Sequence, residues 1–289
     1  MFYKNIILGS AKFGYSYGNF NNNKKINLKE LYAIIKIAEK HGINFIDTSQ
    51  DYKNSENVIG NLNIKNFNFI TKIPKISNTN QKPKDYIKLA LEKSLQKLKT
   101  SKLYGLLFRS PSCLIKEPYF SFWNEAKNLK KEKLVKKVGI TIYNPEELDI
   151  VYEKLKPDIV QFPYNIFDQR LKKTGWMDAL YDNNVELHAR SIFLQGLLLI
   201  EKSRLPDKFS DFYLDWDYYH TWLKKTNISA LEACLNFVIA EKKISKIVLG
   251  VDTSQQLLEI INVKFKNIMF FTWKKNIDER VYNPLKWKY

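Results

Sequence analysis

The sequence predicts an α/β chain folded as a single-domain (β/α)8 TIM barrel, and three observations carry that expectation. Short runs rich in Ile, Val, Phe and Leu recur eight times along the chain. Helical patterns separate them, which is the alternation of a parallel sheet closed on itself. The glycine-rich turn that usually opens a doubly wound sheet is missing, because the first run ends LGSAKFGYSYG and does not fit GxGxxG. At 289 residues the chain is close to the roughly 250 typical of one such barrel.

In order, strands are expected at 5–9 (NIILG), 44–47 (NFID), 67–72 (FNFITK), 103–108 (LYGLLF), 137–141 (KVGIT), 158–162 (DIVQF), 185–190 (VELHAR) and 246–250 (KIVLG). Helices are expected at 27–42, 83–99, 122–134, 145–156, 175–184 and 229–243. The first of these repeats apolar residues at helical spacing (Leu31, Ile34, Ile35, Ala38) and stops at Gly42, suited to a left-handed helix end. Pro83 and Pro145 fall in first helical turns. The interval 191–228, after the seventh strand, is an extended loop region dense in aromatics (DKFSDFYLDWDYYHTWL). It reads either as a pocket wall or as a helix packed on the barrel. A C-terminal tail occupies 264–289. Pocket shape is expected to depend on 15–25, 110–121 and 191–228.

A hydrophobic content of 45% with 14% aromatics is enough for a full core. No apolar run approaches the roughly 20 residues of a membrane span. The N-terminus enters a strand without the charged, apolar and small-residue series of a secretion signal. Cys113 and Cys234 have neither metal-ligand spacing nor a disulfide framework. No His/Cys/Asp grouping has metal spacing either, so no metal is expected. His41 and His220 read as ordinary helix or surface residues, and His188 as a hydrogen-bonded core histidine. A cytoplasmic protein without a membrane partner is the expectation.

The net charge is +17, but only five of the 47 basic residues are Arg, and the Lys are scattered. Nucleic-acid binders concentrate base on one face or in an Arg-rich segment, so no nucleic-acid partner is expected. Attraction of small anionic ligands is the milder consequence.

Polar residues at the C-terminal ends of barrel strands share one mouth. Here they are Ser10 and Lys12, Asp47, Lys72, Arg109, Thr141, Gln161 with Asn165, Arg190 with Ser191, and Asp252. Asp47 and Tyr52, within NFIDTSQDYKNSENVIG, read in isolation as turn residues. A lysine inside FITKIP needs a partner if buried, and Asp47 on the neighbouring strand supplies one. An ammonium beside a phenol favours the phenolate and lowers a pKa that is ordinarily near ~10, at about 1.4 kcal/mol per unit. That trio suits proton exchange with an oxygen whose carbon exchanges a hydride. Gln161 and Asn165 read as amides satisfying a strand end or as ligand contacts.

On these residues the chain resembles the aldo/keto reductase family over nearly all of its length. The similar stretches are LGSAKFGYSYG, GINFIDTSQDYKNSENVIG, FITKIP, LYGLLF, KVGITIYNPEEL, DIVQFPYNIFDQR, ARSIFLQGLL and IVLGVDTSQQLLEII. The second nearly completes the family pattern GIxxxDTAxxYGxSExxxG, with Ser49 for Ala and Lys53 for Gly. The ending NPLKW is similar to members found among sugar and surface-polysaccharide genes. The resemblance implies an NADP- or NAD-dependent oxidoreductase acting on a small carbonyl substrate, with a sugar or nucleotide-linked sugar as one class and an anionic substrate as another. Tyr52 would be the general acid, tuned by Lys72 and Asp47. Cofactor contacts would come from Gly9, Ser10, Asp47, Thr141, Gln161, Arg190, Ser191, Gly250, Asp252 and Gln256, with Gln161 on the nicotinamide carboxamide and 250–256 near the adenosine phosphates.

Three departures qualify the resemblance. Arg109, in LLFRSP, stands where the family has a catalytic histidine. Arginine does not donate a proton at neutral pH, but it donates hydrogen bonds and is permanently charged. It could polarise the carbonyl, depress Tyr52, grip a carboxylate or phosphate, or displace Lys72 and leave a barrel that only binds. Arg190 replaces the tyrosine that stacks on nicotinamide in many relatives. Gln256 replaces the arginine of NADP-preferring members and Asp252 is added, which keeps NAD open.

Overall fold

The computed structural model describes residues 2–14, 25–76, 80–266 and 277–287. Eight parallel strands close into a barrel in chain order: β1 (Ile6–Gly9), β2 (Phe45–Asp47), β3 (Asn68–Ile73), β4 (Leu103–Arg109), β5 (Val135–Thr141), β6 (Ile159–Pro163), β7 (Glu186–Arg190) and β8 (Lys246–Leu249). Pairing of Ile7 with Val248 closes the ring. Every strand lies within two residues of its expected bounds. Of the loop expected at 15–25 only Lys25 is described, and of the tail only 264–266 and 277–287.

The helices form for local reasons and bury one face against the barrel. Leu28–Lys40 is capped by Asn27, whose side chain accepts from the Glu30 amide at 2.9 Å. Its stripe Leu31, Ile34, Ile35, Ala38 is buried, and the chain leaves it through Gly42 at φ 72°. The helix expected at 122–134 runs instead from Tyr119 to Lys131. It begins earlier because Pro118 occupies the N-cap, and it ends because Lys133 is left-handed at φ 63°. Ser254–Asn262, absent from the expected helices, is capped by the Thr253 hydroxyl on the Gln256 amide at 3.2 Å.

The aromatic interval divides between its two readings: Tyr213–Thr226 is a helix packed on the barrel, while Ser191, Ile192, Phe193, Gln195 and Gly196 at its start line the cavity. Trp216 and Tyr219 are fully buried and meet Phe167 edge-on at centroid distances of 5.0 and 5.5 Å. Phe209 and Trp287 of the tail pack edge-on at 5.4 Å, and the Trp287 indole donates to the Arg280 carbonyl.

Inside the ring, Ile7, Phe45, Ile70, Leu107 and Ile159 form a compact apolar layer. Side chains two residues apart on a strand share a face. Two positions further along the same strands stand Gly9, Asp47, Lys72, Arg109 and Gln161. The same step leads from Gly139 to Thr141, from His188 to Arg190 and from Val248 to Gly250. One apolar layer therefore floors a polar mouth. The layer is tight: a Cβ on Gly139 would lie 2.4 Å from the Ile159 carbonyl oxygen.

The opposite end is closed by Glu186, which accepts from Tyr104 Oη at 2.7 Å, pairs with Lys137 at 2.9 Å and contacts His188 Nε2 at 3.2 Å. Burial alone would raise the Glu186 pKa, but these hydrogen bonds overcome it and hold it down at about 2. His188 is fully buried as expected of a core histidine, but among the described residues only Nε2 has a hydrogen-bond partner and Nδ1 has none.

Candidate active site

The mouth opens into a cavity of about 360 Å³. At its floor, the Lys72 ammonium bonds both carboxylate oxygens of Asp47 and the Thr48 carbonyl oxygen at 3.1 Å. Register explains the meeting: Asp47 pairs with Ile70, and Lys72 is the next inward-facing residue of β3. Both are nearly inaccessible, with side chains 5% and 3% exposed. Gln161 donates to the same carboxylate from across the barrel at 3.3 Å. Burial depresses the Lys72 pKa, Asp47 pulls it back, and Arg190 and Arg109 push it down, leaving it below an ordinary lysine.

Tyr52 sits on the turn after β2, and the Lys72 nitrogen lies 5.7 Å from its ring centroid. The turn is held by the Tyr52 amide on the Ser49 carbonyl (3.0 Å) and the Ser55 amide on the Tyr52 carbonyl (2.9 Å). Lys53 follows at φ 46°, a left-handed conformation that glycine adopts more easily.

Arg109 has its own partners and leaves Asp47 to Lys72. Its Nη1 donates to Asp51 at 2.9 Å and its Nη2 to Tyr143 Oη at 3.4 Å. The guanidinium of Arg190 lies 4.4 Å from the Tyr143 ring centroid and donates to the Ile142 carbonyl at 2.9 Å. Burial would raise the Tyr143 pKa, yet Arg190, Arg109 and Lys72 together hold it below the usual tyrosine value. Arg109 is also partly desolvated, but Tyr143, Tyr52 and Asp51 keep its charge firmly in place.

The rest of the rim joins β8 to β1. Gly9, Ser10 and Gly250 line it, and Lys12 pairs with Asp252 at 2.8 Å. A Cβ on Gly250 would find nothing nearer than the Gly9 oxygen at 3.9 Å, so this stretch presents bare backbone to the cavity. Ser191 to Gly196 forms the facing wall, through left-handed conformations at Ser191, Leu194 and Gln195.

The structure brings Tyr52, Lys72, Asp47, Arg109, Gly9, Ser10, Thr141, Gln161, Arg190, Ser191, Gly250 and Asp252 to one cavity. Gln256 is outside its lining and accepts from the Asp252 amide at 2.8 Å, shaping the loop. Asn165 also stays outside, spending its amide on the Ser191 carbonyl and the Phe167 and Asp168 amides. Sequence reasoning missed Asp51 and Tyr143, whereas the wall at 191–196 falls within the interval expected to shape the pocket. Tyr143 was findable, since it lies two positions beyond Thr141 on the inward alternation.

Comparison with known proteins follows the same outline. A family model described as the aldo/keto reductase family matches residues 5–269. Glyoxal reductase of Bacillus subtilis is 27% identical over 208 residues, covering 67% of this chain and 71% of that protein. An uncharacterized oxidoreductase of the same organism is 23% identical over 252 residues, covering 79% and 80%. Among solved structures, a glycerol dehydrogenase from Gluconobacter oxydans superposes with a TM-score of 0.66 at 20% identity, covering 93% and 88%. A putative aldo-keto reductase from Pseudomonas aeruginosa gives 0.65 at 17%, covering 90% and 88%. Barrel, cavity and family match agree: this chain belongs to the aldo/keto reductase family.

Proposed function

We propose that this protein is an NADP- or NAD-dependent oxidoreductase that interconverts a carbonyl and an alcohol on a small substrate. The observation that carries this reading is Tyr52 in the lining of the cavity, its ring centroid 5.7 Å from the Lys72 ammonium that Asp47 holds. The residues fit a dinucleotide: bare backbone at Gly9 and Gly250, hydroxyl and amide groups on Thr141, Gln161 and Ser191, and the cation of Arg190. When bound, the nicotinamide supplies or accepts the hydride.

The chain's own residues handle the proton. In reduction Tyr52 gives its phenolic proton to the carbonyl oxygen as the carbon gains the hydride, and in oxidation it takes that proton back. Lys72 stabilises the phenolate left behind, and Asp47 keeps Lys72 charged and aimed. Arg109 favours this reading over a barrel that only binds, because it is held on Asp51 and Tyr143 while Lys72 stays on Asp47.

Tyr52→Phe tests the assignment. Turnover of glycolaldehyde with NADPH or NADH, followed at the nicotinamide absorbance, should fall by about 10²–10⁴-fold. Dinucleotide affinity, read from tryptophan fluorescence, should stay within about twofold. Retained turnover removes Tyr52 as the proton donor, and failure to bind either dinucleotide removes the reading itself.

A further inference from the structure

Four cations and three carboxylates line the cavity. Lys72 is matched by Asp47, Lys12 by Asp252 and Arg109 by Asp51. Arg190 has no carboxylate partner among the described residues, so the described lining carries one positive charge in excess. The three pairs also differ in kind. Asp47 with Lys72 is sealed from solvent, whereas Arg109 and Asp51 are 33% and 38% exposed. Ion pairs that open to water contribute little and exchange partners easily.

Asp51 stands in a turn, directly before the phenol assigned as proton donor. Its carboxylate oxygen lies 2.9 Å from Arg109 Nη1, while Nη2 of the same guanidinium reaches Tyr143. Arginine presents a planar fork that matches a carboxylate. We infer that Asp51 is an internal stand-in for the substrate, and that Arg109 is a specificity residue for carbonyl compounds carrying a carboxylate close to the carbonyl carbon. Such a substrate displaces Asp51 and lays its carboxylate on Arg109 beside Tyr143. Its carbonyl oxygen then falls to Tyr52, one residue along the chain from Asp51. The turnover side of this inference rests on the oxidoreductase reading above; the binding side does not.

The test uses glyoxylate, a two-carbon aldehyde acid, against glycolaldehyde, a neutral two-carbon aldehyde. Binding is measured by calorimetry on the full chain, without dinucleotide and again with excess oxidised dinucleotide, so that no reduction occurs. Glyoxylate should bind more tightly than glycolaldehyde in both conditions. Arg109→Gln should weaken glyoxylate by at least about tenfold, the worth of a charged hydrogen bond. Asp51→Asn should tighten it by up to about fivefold, the worth of an exposed pair.

Opposite signs in the two variants separate recognition from misfolding, which would weaken both. Asp51→Asn that weakens glyoxylate, or Arg109→Gln that leaves it unchanged, overturns the inference. So does loss of glyoxylate binding when dinucleotide is added, which would give the cation to the cofactor. Tighter binding of inorganic phosphate than of glyoxylate overturns the carboxylate assignment. If Tyr52→Phe keeps turnover while these binding responses hold, the oxidoreductase mechanism fails and the anion subsite stands.

Discussion

Removing the charge of Asp47 while keeping its shape exposes how the floor of the mouth is built. In Asp47→Asn the Lys72 ammonium keeps the Thr48 carbonyl at 3.1 Å and one side-chain oxygen, but loses the second acceptor and the whole of the compensating negative charge. Its side chain is only 5% exposed, so solvent screens the remaining charge poorly. Breaking one partner of a buried pair costs about 3–5 kcal/mol, because an uncompensated charge remains in the interior. At about 2–4 °C per kcal/mol for a large domain, the melting temperature should fall by roughly 6–20 °C. Replacing Lys72 as well, in Asp47→Asn/Lys72→Met, removes that stranded charge. The double variant should therefore be more stable than the sum of the two single losses by about 1–3 kcal/mol. The assay is urea unfolding of the wild type, both single variants and the double variant at one pH. A single Asp47→Asn variant within about 1 kcal/mol of wild type would refute the reasoning, as would strict additivity.

The closed end of the barrel predicts an acid response. The folded Glu186 pKa, held down at about 2, lies below its unfolded value near ~4.5, so its contribution is complete above that value and vanishes as pH falls toward 2. A gap of about 2.5 units corresponds to about 3 kcal/mol; Glu186→Gln should lose roughly that at pH 7 and flatten the stability profile between pH ~4.5 and ~2, in urea titrations across that range. Gly139→Ala, with a Cβ 2.4 Å from a backbone oxygen of β6, should cost at least about 1–3 kcal/mol of unfolding free energy; a neutral result would mean that the interior layer has slack.

Fold class and the core of the site were legible in the chain because both are local in sequence. Each strand is a run of apolar residues bounded by turn residues, and the polar residue at its C-terminal end is inherited by the mouth once eight such strands close. Asp47, Tyr52 and Lys72 lie within 26 residues on adjacent βα units, and alternation alone places Lys72 beside Asp47. Side-chain partnership across the barrel is not local, and no spacing rule reports it. Only the tertiary structure decided that Arg109 pairs with Asp51 and Tyr143 while Lys72 keeps Asp47. The same is true of Arg190, which lies over the Tyr143 ring, and of Gln256, which serves the Asp252 loop from outside the cavity. The aromatic interval had two readings because its composition suits either a pocket wall or a packed helix. Burial of Trp216 and Tyr219 against Phe167, more than 45 residues earlier, is what makes 213–226 a packed helix, while the start of the interval lines the cavity. Strand position follows from the pattern of one segment, whereas the direction in which a long charged side chain points depends on which carboxylates and rings the closed ring brings within its reach.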